Sequence, residues 1–160
     1  YRVCKACGFY KGEAVVTVKG TSEEAWVRMI VTIEDAADVI AVLGEADGNF
    51  DFDKYFDVDD TNWAEYDEDG LYTANAANQI VVELRYIGTD SDTVVKSATD
   101  TVLPKAFTKL SVPGSLTNEN LAQFVDDDGA LSIGIVAQAI QRENLDTDDA
   151  AWAAFDAQAN

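Results

Sequence analysis

The chain has 160 residues, 48% of them apolar and 10% aromatic, with 30 Asp and Glu against 11 Lys and Arg for a net charge of −19. That length and apolar content suit one domain whose core needs no metal or disulfide staple, and they argue against disorder. The acidic excess repels phosphate backbones and anionic lipid, so no nucleic-acid partner and no membrane insertion are expected. It reads instead as a solvated surface, as weak calcium binding by clustered carboxylates, or as adaptation to high salt. No apolar run approaches the ~20 residues that span a bilayer. Histidine is absent. That removes the usual general base near neutral pH and the commonest metal ligand, and with them His-Glu-x-x-His zinc hydrolysis and Ser-His or Cys-His nucleophilic catalysis.

In chain order, residues 1–11 stand apart as an N-terminal extension, and residues 12–160 read as a single β-sandwich domain. The chain opens at Tyr1 with no starting Met and no signal peptide, which reads as a processed start. Residues 13–19 (EAVVTVK) alternate, with Ala14, Val16 and Val18 on one face. Residues 25–33 (AWVRMIVTI) alternate more clearly, with Val27, Met29, Val31 and Ile33 inward and Trp26, Arg28 and Thr32 outward. Residues 35–44 (DAADVIAVLG) predict a helix: Asp35 at the cap, a stripe of Val39, Ile40 and Leu43, and Gly44 as the stop.

Residues 45–70 are acidic and punctuated by aromatics, and they read as a long decorated loop with one short strand. Residues 71–73 begin a strand, and 79–87 (QIVVELRYI) form another, with Ile80, Val82, Leu84 and Tyr86 toward the core. The strand expected over 101–112 is interrupted by Pro104, which places it at an edge or a bulge. Thr117 caps a short helix through Phe124, with Leu116 and Leu121 as a hydrophobic staple. Residues 131–140 (LSIGIVAQAI) alternate again, with Leu131, Ile133, Ile135, Ala137 and Ala139 on one face. Residues 148–158 form a terminal helix that begins at an Asp/Thr cap and docks through Trp152 and Phe155. About six strands with short connecting helices and no βαβ alternation predict a mainly β fold, an antiparallel sandwich.

Three stretches are similar to one known family: EEAWVRMIVTI (residues 23–33), VLPKAFTKLSVPGSLTNENLA (102–122) and IGIVAQAIQRENLDTDDAAWAAF (133–155). They resemble the TasA/camelysin family, secreted proteins of Gram-positive bacteria that depend on the specialised signal peptidase SipW. There a strand of the type AYVRVKVTI follows a polar turn, and a later strand ending A-x-A-(V/I)-Q leads to a helix with AWAAF. The resemblance covers residues 12–158 in order. It implies a jelly-roll sandwich, secreted to the extracellular matrix or cell surface, whose main partner is itself. Such subunits form biofilm-matrix filaments by donor-strand complementation, and other matrix proteins or polysaccharide are further partners. Camelysin's metalloprotease activity is not expected in a chain without histidine. The N-terminus departs from the family: YRVCKACGFYKG instead resembles a cysteine knuckle of a bacterial large-subunit ribosomal zinc-ribbon protein.

Cys4 and Cys7 are the chain's two cysteines, and the sequence leaves their state open. A zinc-thiolate site needs four ligands, so it would have to be pooled between two chains. A redox pair wants a helix N-terminus and a βαβ context, and neither is apparent. In a strand, positions three apart lie about 10 Å apart, beyond the roughly 7 Å a disulfide spans. A Cys4–Cys7 bond therefore demands a turn, whereas an extended segment demands free thiols or interchain links. As a donor strand the segment would present Tyr1, Val3, Cys4, Cys7 and Phe9 to a neighbour's groove.

The acidic stretch holds candidate calcium ligands at Asp47, Asp51 and Asp53 and at Asp57, Asp59 and Asp60. The EF-hand pattern fails, since counting from Asp47 puts Phe52 at position six and Val58 at position twelve. Phe50, Phe52, Tyr55 and Phe56 would cover the sandwich. No catalytic residue is expected. A second reading is a carbohydrate-binding or adhesive module that stacks sugars on Trp26 and Trp63.

Overall fold

The computed structural model describes residues 2–3, 10–11, 15–20, 23–67, 69–88, 94–95, 98–111, 113–124 and 131–158. In chain order the elements are β1 (Arg2–Val3), β2 (Tyr10–Lys11), β3 (Thr17–Val18), β4 (Ala25–Ile33), α1 (Ala36–Leu43), β5 (Phe50–Asp51), α2 (Phe52–Tyr55) and β6 (Phe56–Val58). There follow β7 (Trp63–Glu65), β8 (Leu71–Tyr72), β9 (Ile80–Tyr86), β10 (Val94–Val95), β11 (Thr101–Val102), β12 (Phe107–Leu110), α3 (Asn118–Phe124), β13 (Ile133–Gln141) and α4 (Asp148–Gln158). The protein is mainly β, and its strand pairs among the described residues are antiparallel.

The main sheet is built on β4. Along one edge it pairs with β13 from Ile133↔Ile33 to Gln141↔Ala25. Backbone bonds from Glu34 N–H to Ser132 O (3.1 Å) and from Arg142 N–H to Glu24 O (2.8 Å) extend that ladder at both ends. Along its other edge β4 pairs with β9, from Arg28↔Arg85 to Ile33↔Ile80, and with β10 beside Ala25 and Trp26. β7 then pairs with β9. Val27, Met29, Val31 and Ile33 alternate onto the inner face with Ile80, Val82 and Leu84, all buried. That is the period of two doing its expected work.

The opposite face of β4 differs from the sequence expectation. Trp26 and Arg28, expected outward, are 7% and 4% exposed, because α4 lies across that face. The reason is that alternation separates two faces without saying what covers each.

The inner face is closed by α1, by the aromatic stretch from β5 to β7, and by β12. Residues 45–70 are therefore not a decorated loop; they supply Phe50, Phe52, Tyr55, Phe56 and Trp63 to the core. Phe52 stacks on Phe56 at 4.1 Å between centroids, and Phe107 meets Phe56 edge-on at 5.3 Å. Buried polar tips find carbonyls: Tyr55 Oη donates to Leu43 O at 2.6 Å and Trp63 Nε1 to Pro104 O at 2.9 Å. Acids alternating with aromatics here mean rings inward and carboxylates outward, at a period too irregular to read as a strand.

Helix α1 lies where expected, with Val39 and Leu43 buried. Asp35 occupies the cap position but makes no side-chain cap bond and sits at φ 54°. Asn78, itself at φ 59°, caps the helix from a distant turn, accepting from Ala36 N–H through its carbonyl and from Ala37 N–H through Oδ1, both at 2.9 Å. Gly44 does end α1, and a Cβ there would fall 2.4 Å from Ile40 O. Thr117 caps α3 by accepting from Asn120 N–H at 3.2 Å, while Asn120 Oδ1 accepts from Thr117 N–H at 3.1 Å. Pro104 does separate two strands, β11 and β12.

Two stability outcomes follow. Phe52→Ala empties a fully buried site among the Phe56, Tyr72 and Phe107 rings and is expected to cost about 3–5 kcal/mol in denaturant unfolding. Asn78→Gly keeps the left-handed backbone and the carbonyl bond to Ala36 N–H and removes only the Oδ1 acceptor, for a loss of a few tenths of a kcal/mol.

Candidate functional site

Three features stand out on this frame, and the first is the free side of β13. Among the described residues no strand pairs with that edge. It is a nine-residue strand, IGIVAQAIQ, without a single charge. Natural edges are normally blunted by charge, proline, bulges or shortness; the edge at the other side of the sheet, β7, is three residues long. Ile133 is buried and Ile135 partly so, but Ala137 and Ala139 emerge from the core, and Val136 is 55% exposed. Ala137, Gln138 and Ala139 line an apolar groove of roughly 310 Å³ with Val16, Val18, Ala25 and Val27.

The second feature is an acidic groove lined by Asp51, Asp53, Asp60, Glu65, Asp67 and Asp69 beside Gly70 and Trp63. Tyr72 Oη donates to Glu65 Oε2 at 2.6 Å. Half-burial pushes the Glu65 carboxyl up to about 7, and Asp53, within hydrogen-bonding reach, adds to the rise against the opposing Tyr72 bond. Burial and the Glu65 bond raise the Tyr72 phenol as well. Glu65 is thus an acid whose burial lifts its titration toward neutral pH.

The sequence-named carboxylates scatter around this groove. Asp51 and Asp53 line it, but Asp51 Oδ1 is engaged in capping α2, accepting from Lys54 N–H at 3.1 Å. Asp57 accepts from Thr108 Oγ1 at 2.8 Å, and Asp59 from Asn62 Nδ2 at 2.7 Å. Asp47 accepts from Asn49 N–H in its own turn at 3.3 Å. Among the described residues no group of three or more Asp, Glu or Cys side chains is placed to hold a metal ion. Of the N-terminal residues, Tyr1, Cys4, Cys7 and Phe9 lie outside the described residues. Val3 pairs with Tyr10, and Arg2 with Lys11, in a two-residue ladder.

No family model, no curated protein and no solved structure matches the chain. What the site can do follows from its own geometry. That geometry overturns the tryptophan platform: Trp63 is fully buried and Trp26 lies beneath α4, its Nε1 donating to Leu145 O at 3.1 Å. Neither ring has a face to offer a sugar.

The third feature is a buried pair of arginines, which sequence reading missed. Arg28 and Arg85 stand directly opposite on β4 and β9. Like charges in that register repel, and carboxylates answer them. Glu83 bridges both, at 3.2 Å to Arg28 Nη1 and 2.6 Å to Arg85 Nε. From α4, Asp148 and Asp149 reach Arg85 Nη1 at 2.9 and 2.6 Å, and Asp156 pairs with Arg28. Gln138 of β13 accepts from Arg28 Nε at 2.6 Å. The guanidinium of Arg28 lies 4.4 Å from the Trp152 ring centre and that of Arg85 3.8 Å from Tyr66. Burial alone would lower the Arg85 pKa, but its bonds to Asp149, Glu83 and Asp148 outweigh that and raise it. The hydrogen bond from Arg28 holds the Asp156 carboxyl below its usual range.

The raised Glu65 gives a signed pH dependence. Its native state binds the proton more tightly than the unfolded chain does, so its stabilising contribution is complete below the ordinary 4.5 and is lost as pH rises through about 7. Glu65→Gln keeps an acceptor for Tyr72 and removes the titration. The gap in melting temperature between the two proteins is expected to shift in favour of the variant between about pH 5 and about pH 8. A gap that stays constant over that window would refute the assignment.

Proposed function

We propose that the chain is a non-enzymatic structural subunit, exported to the extracellular matrix or cell surface, whose jelly-roll sandwich polymerises head-to-tail by strand addition. The observation that carries this reading is the free edge of β13: long, uncharged, and bordered by an apolar groove. Such an edge offers main-chain donors and acceptors to an incoming strand, and the groove offers sites for its alternate side chains. A contact between two different surfaces that does not close on itself makes a filament.

The donor in this reading is the N-terminal extension of an adjacent copy, with Tyr1, Val3, Cys4, Cys7 and Phe9 as its side-chain set. The quoted family-like stretches support it: two of them, residues 23–33 and 133–155, supply the paired strands β4 and β13 and most of α4. The charge of −19 fits a subunit that remains soluble until a specific edge contact forms.

Negative-stain microscopy tests the reading. The full chain is expected to form filaments. Ala137→Lys with Ala139→Lys places two charges on exposed edge positions outside the core, and should abolish filaments while leaving circular dichroism unchanged. Deleting residues 1–10 should do the same. Filaments that persist in the lysine variant exclude β13 as the acceptor; filaments that persist in the deletion exclude the N-terminal donor.

A further inference from the structure

We propose that the Arg28–Arg85 face of the main sheet is an exchangeable receptor for the acidic helix α4, occupied in cis within one chain and able to take the α4 of a second copy in trans. The inference is independent of strand addition at β13, because it uses the sheet face and the C-terminal helix.

Four observations carry it. The first is that α4 is not part of the main core. Trp26, Ala151 and Trp152, with Ile140, Leu145 and Phe155 against them, form a cluster separate from the one between the sheet and α1. The domain core is therefore closed without α4.

The second is charge complementarity. α4 carries Asp148, Asp149 and Asp156 and no basic residue. It leaves a chain of charge −19 with few places to seat, and the two arginines provide one. Asp148 and Asp149 also suit a helix N-terminus, whereas Asp156 opposes the dipole near the C-terminal end and is compensated by Arg28.

The third is that the receptor is costly when empty. Removing α4 takes three of the four carboxylates from a cross-strand pair of guanidiniums and leaves only Glu83. The departure of α4 also uncovers the apolar Trp26 cluster, so an open receptor favours capture of any copy of the same helix.

The fourth is the connection. Only residues 142–147 join α4 to β13, in a turn where Leu145 N–H donates to Arg142 O at 2.7 Å and Asn144 sits at φ 64°. Straightened, six residues reach about 20 Å. A terminal element on a single hinge, seated through contacts that a second copy reproduces identically, is the arrangement from which swapped assemblies form.

A reciprocal charge exchange tests this. One full-length variant carries Arg28→Glu and Arg85→Glu, which makes the receptor acidic. The other carries Asp148→Lys, Asp149→Lys and Asp156→Lys, which makes the helix basic. Both variants also carry Ala137→Lys and Ala139→Lys to block strand addition; alone, each sets like charges against each other and should sediment as a monomer. Mixed in equal amounts, the acidic receptor meets the basic helix and the native receptor meets the native helix, so the mixture should sediment at twice the mass. Folded variants, verified by circular dichroism, that remain monomeric when mixed overturn the proposal. Should either variant fail to fold, the wild-type chain decides. Isotope-labelled and unlabelled populations would be mixed at high concentration, warmed briefly toward the unfolding transition to release α4, and cooled. Mixed-isotope dimers in native mass spectrometry support exchange; monomers alone overturn it. Repeating the measurement with Ala137→Lys and Ala139→Lys separates exchange from strand addition, since exchange is expected to survive that change.

Discussion

Strand β4 is hydrogen-bonded along both edges and covered on both faces, and the rest of the molecule is positioned from it. Its inner residues hold the aromatic stretch from β5 to β7 and helix α1 against the sheet. Its outer residues hold α4 through Trp26 and Arg28. Its edges set the places of β9 and β13. A strand used on all four sides tolerates no register slip, because a shift of one residue would bring Arg28 into the core and Val27 beneath α4. Both faces would fail at once, which makes this register strongly specified.

The two faces are held by different physics. The inner one is dry and apolar, with rings meeting rings and the polar tips of Tyr55 and Trp63 bonded to carbonyls. The outer one is ionic, with two guanidiniums, four carboxylates and a few aromatic faces. Buried ion pairs add little net stability over well-packed apolar residues, since desolvation offsets most of the attraction. Their contribution here is to orient α4: Asp148 and Asp149 must lie over Arg85 while Asp156 lies over Arg28, which fixes both the direction and the rotation of the helix.

What could be read in the sequence were the elements with strong periodicity and local signals. The inner sets of β4 and β9, the span of α4, the break at Pro104 and the Thr117 cap all follow from neighbours within a turn or a strand. What could not be read depends on residues far apart in the chain. Arg28 and Trp26 carry the pattern of a solvent face, and only the return of α4, more than a hundred residues later, buries them. The cap of α1 comes from Asn78 rather than the adjacent Asp35. For the candidate site, Asp51 and Asp53 were visible as acids. Their meeting with Glu65 in one groove brings together residues from β5, α2 and β7, while Asp57 of β6 points to Thr108 instead. That β13 has no partner on its far side among the described residues was invisible for a deeper reason: alternation identifies β13 as a strand but carries no information about strand order.

Strand order also gives the edge its chemistry. β4 needs a full-length neighbour on that side, so β13 runs nine residues, but the core it faces ends near Ile135. Beyond that point the strand has no ring to bury, and Ala137 and Ala139 border a shallow apolar groove instead of a packed interior. On the other face Gln138 is committed to Arg28 and Ile140 to the tryptophan cluster. Each of these demands keeps charge out of β13 for its own reason: core contact at one end, the arginine clamp and the α4 cluster on the outer face, full pairing with β4 along the length. The absence of charge along β13 is thus a consequence of how the strand serves its own chain.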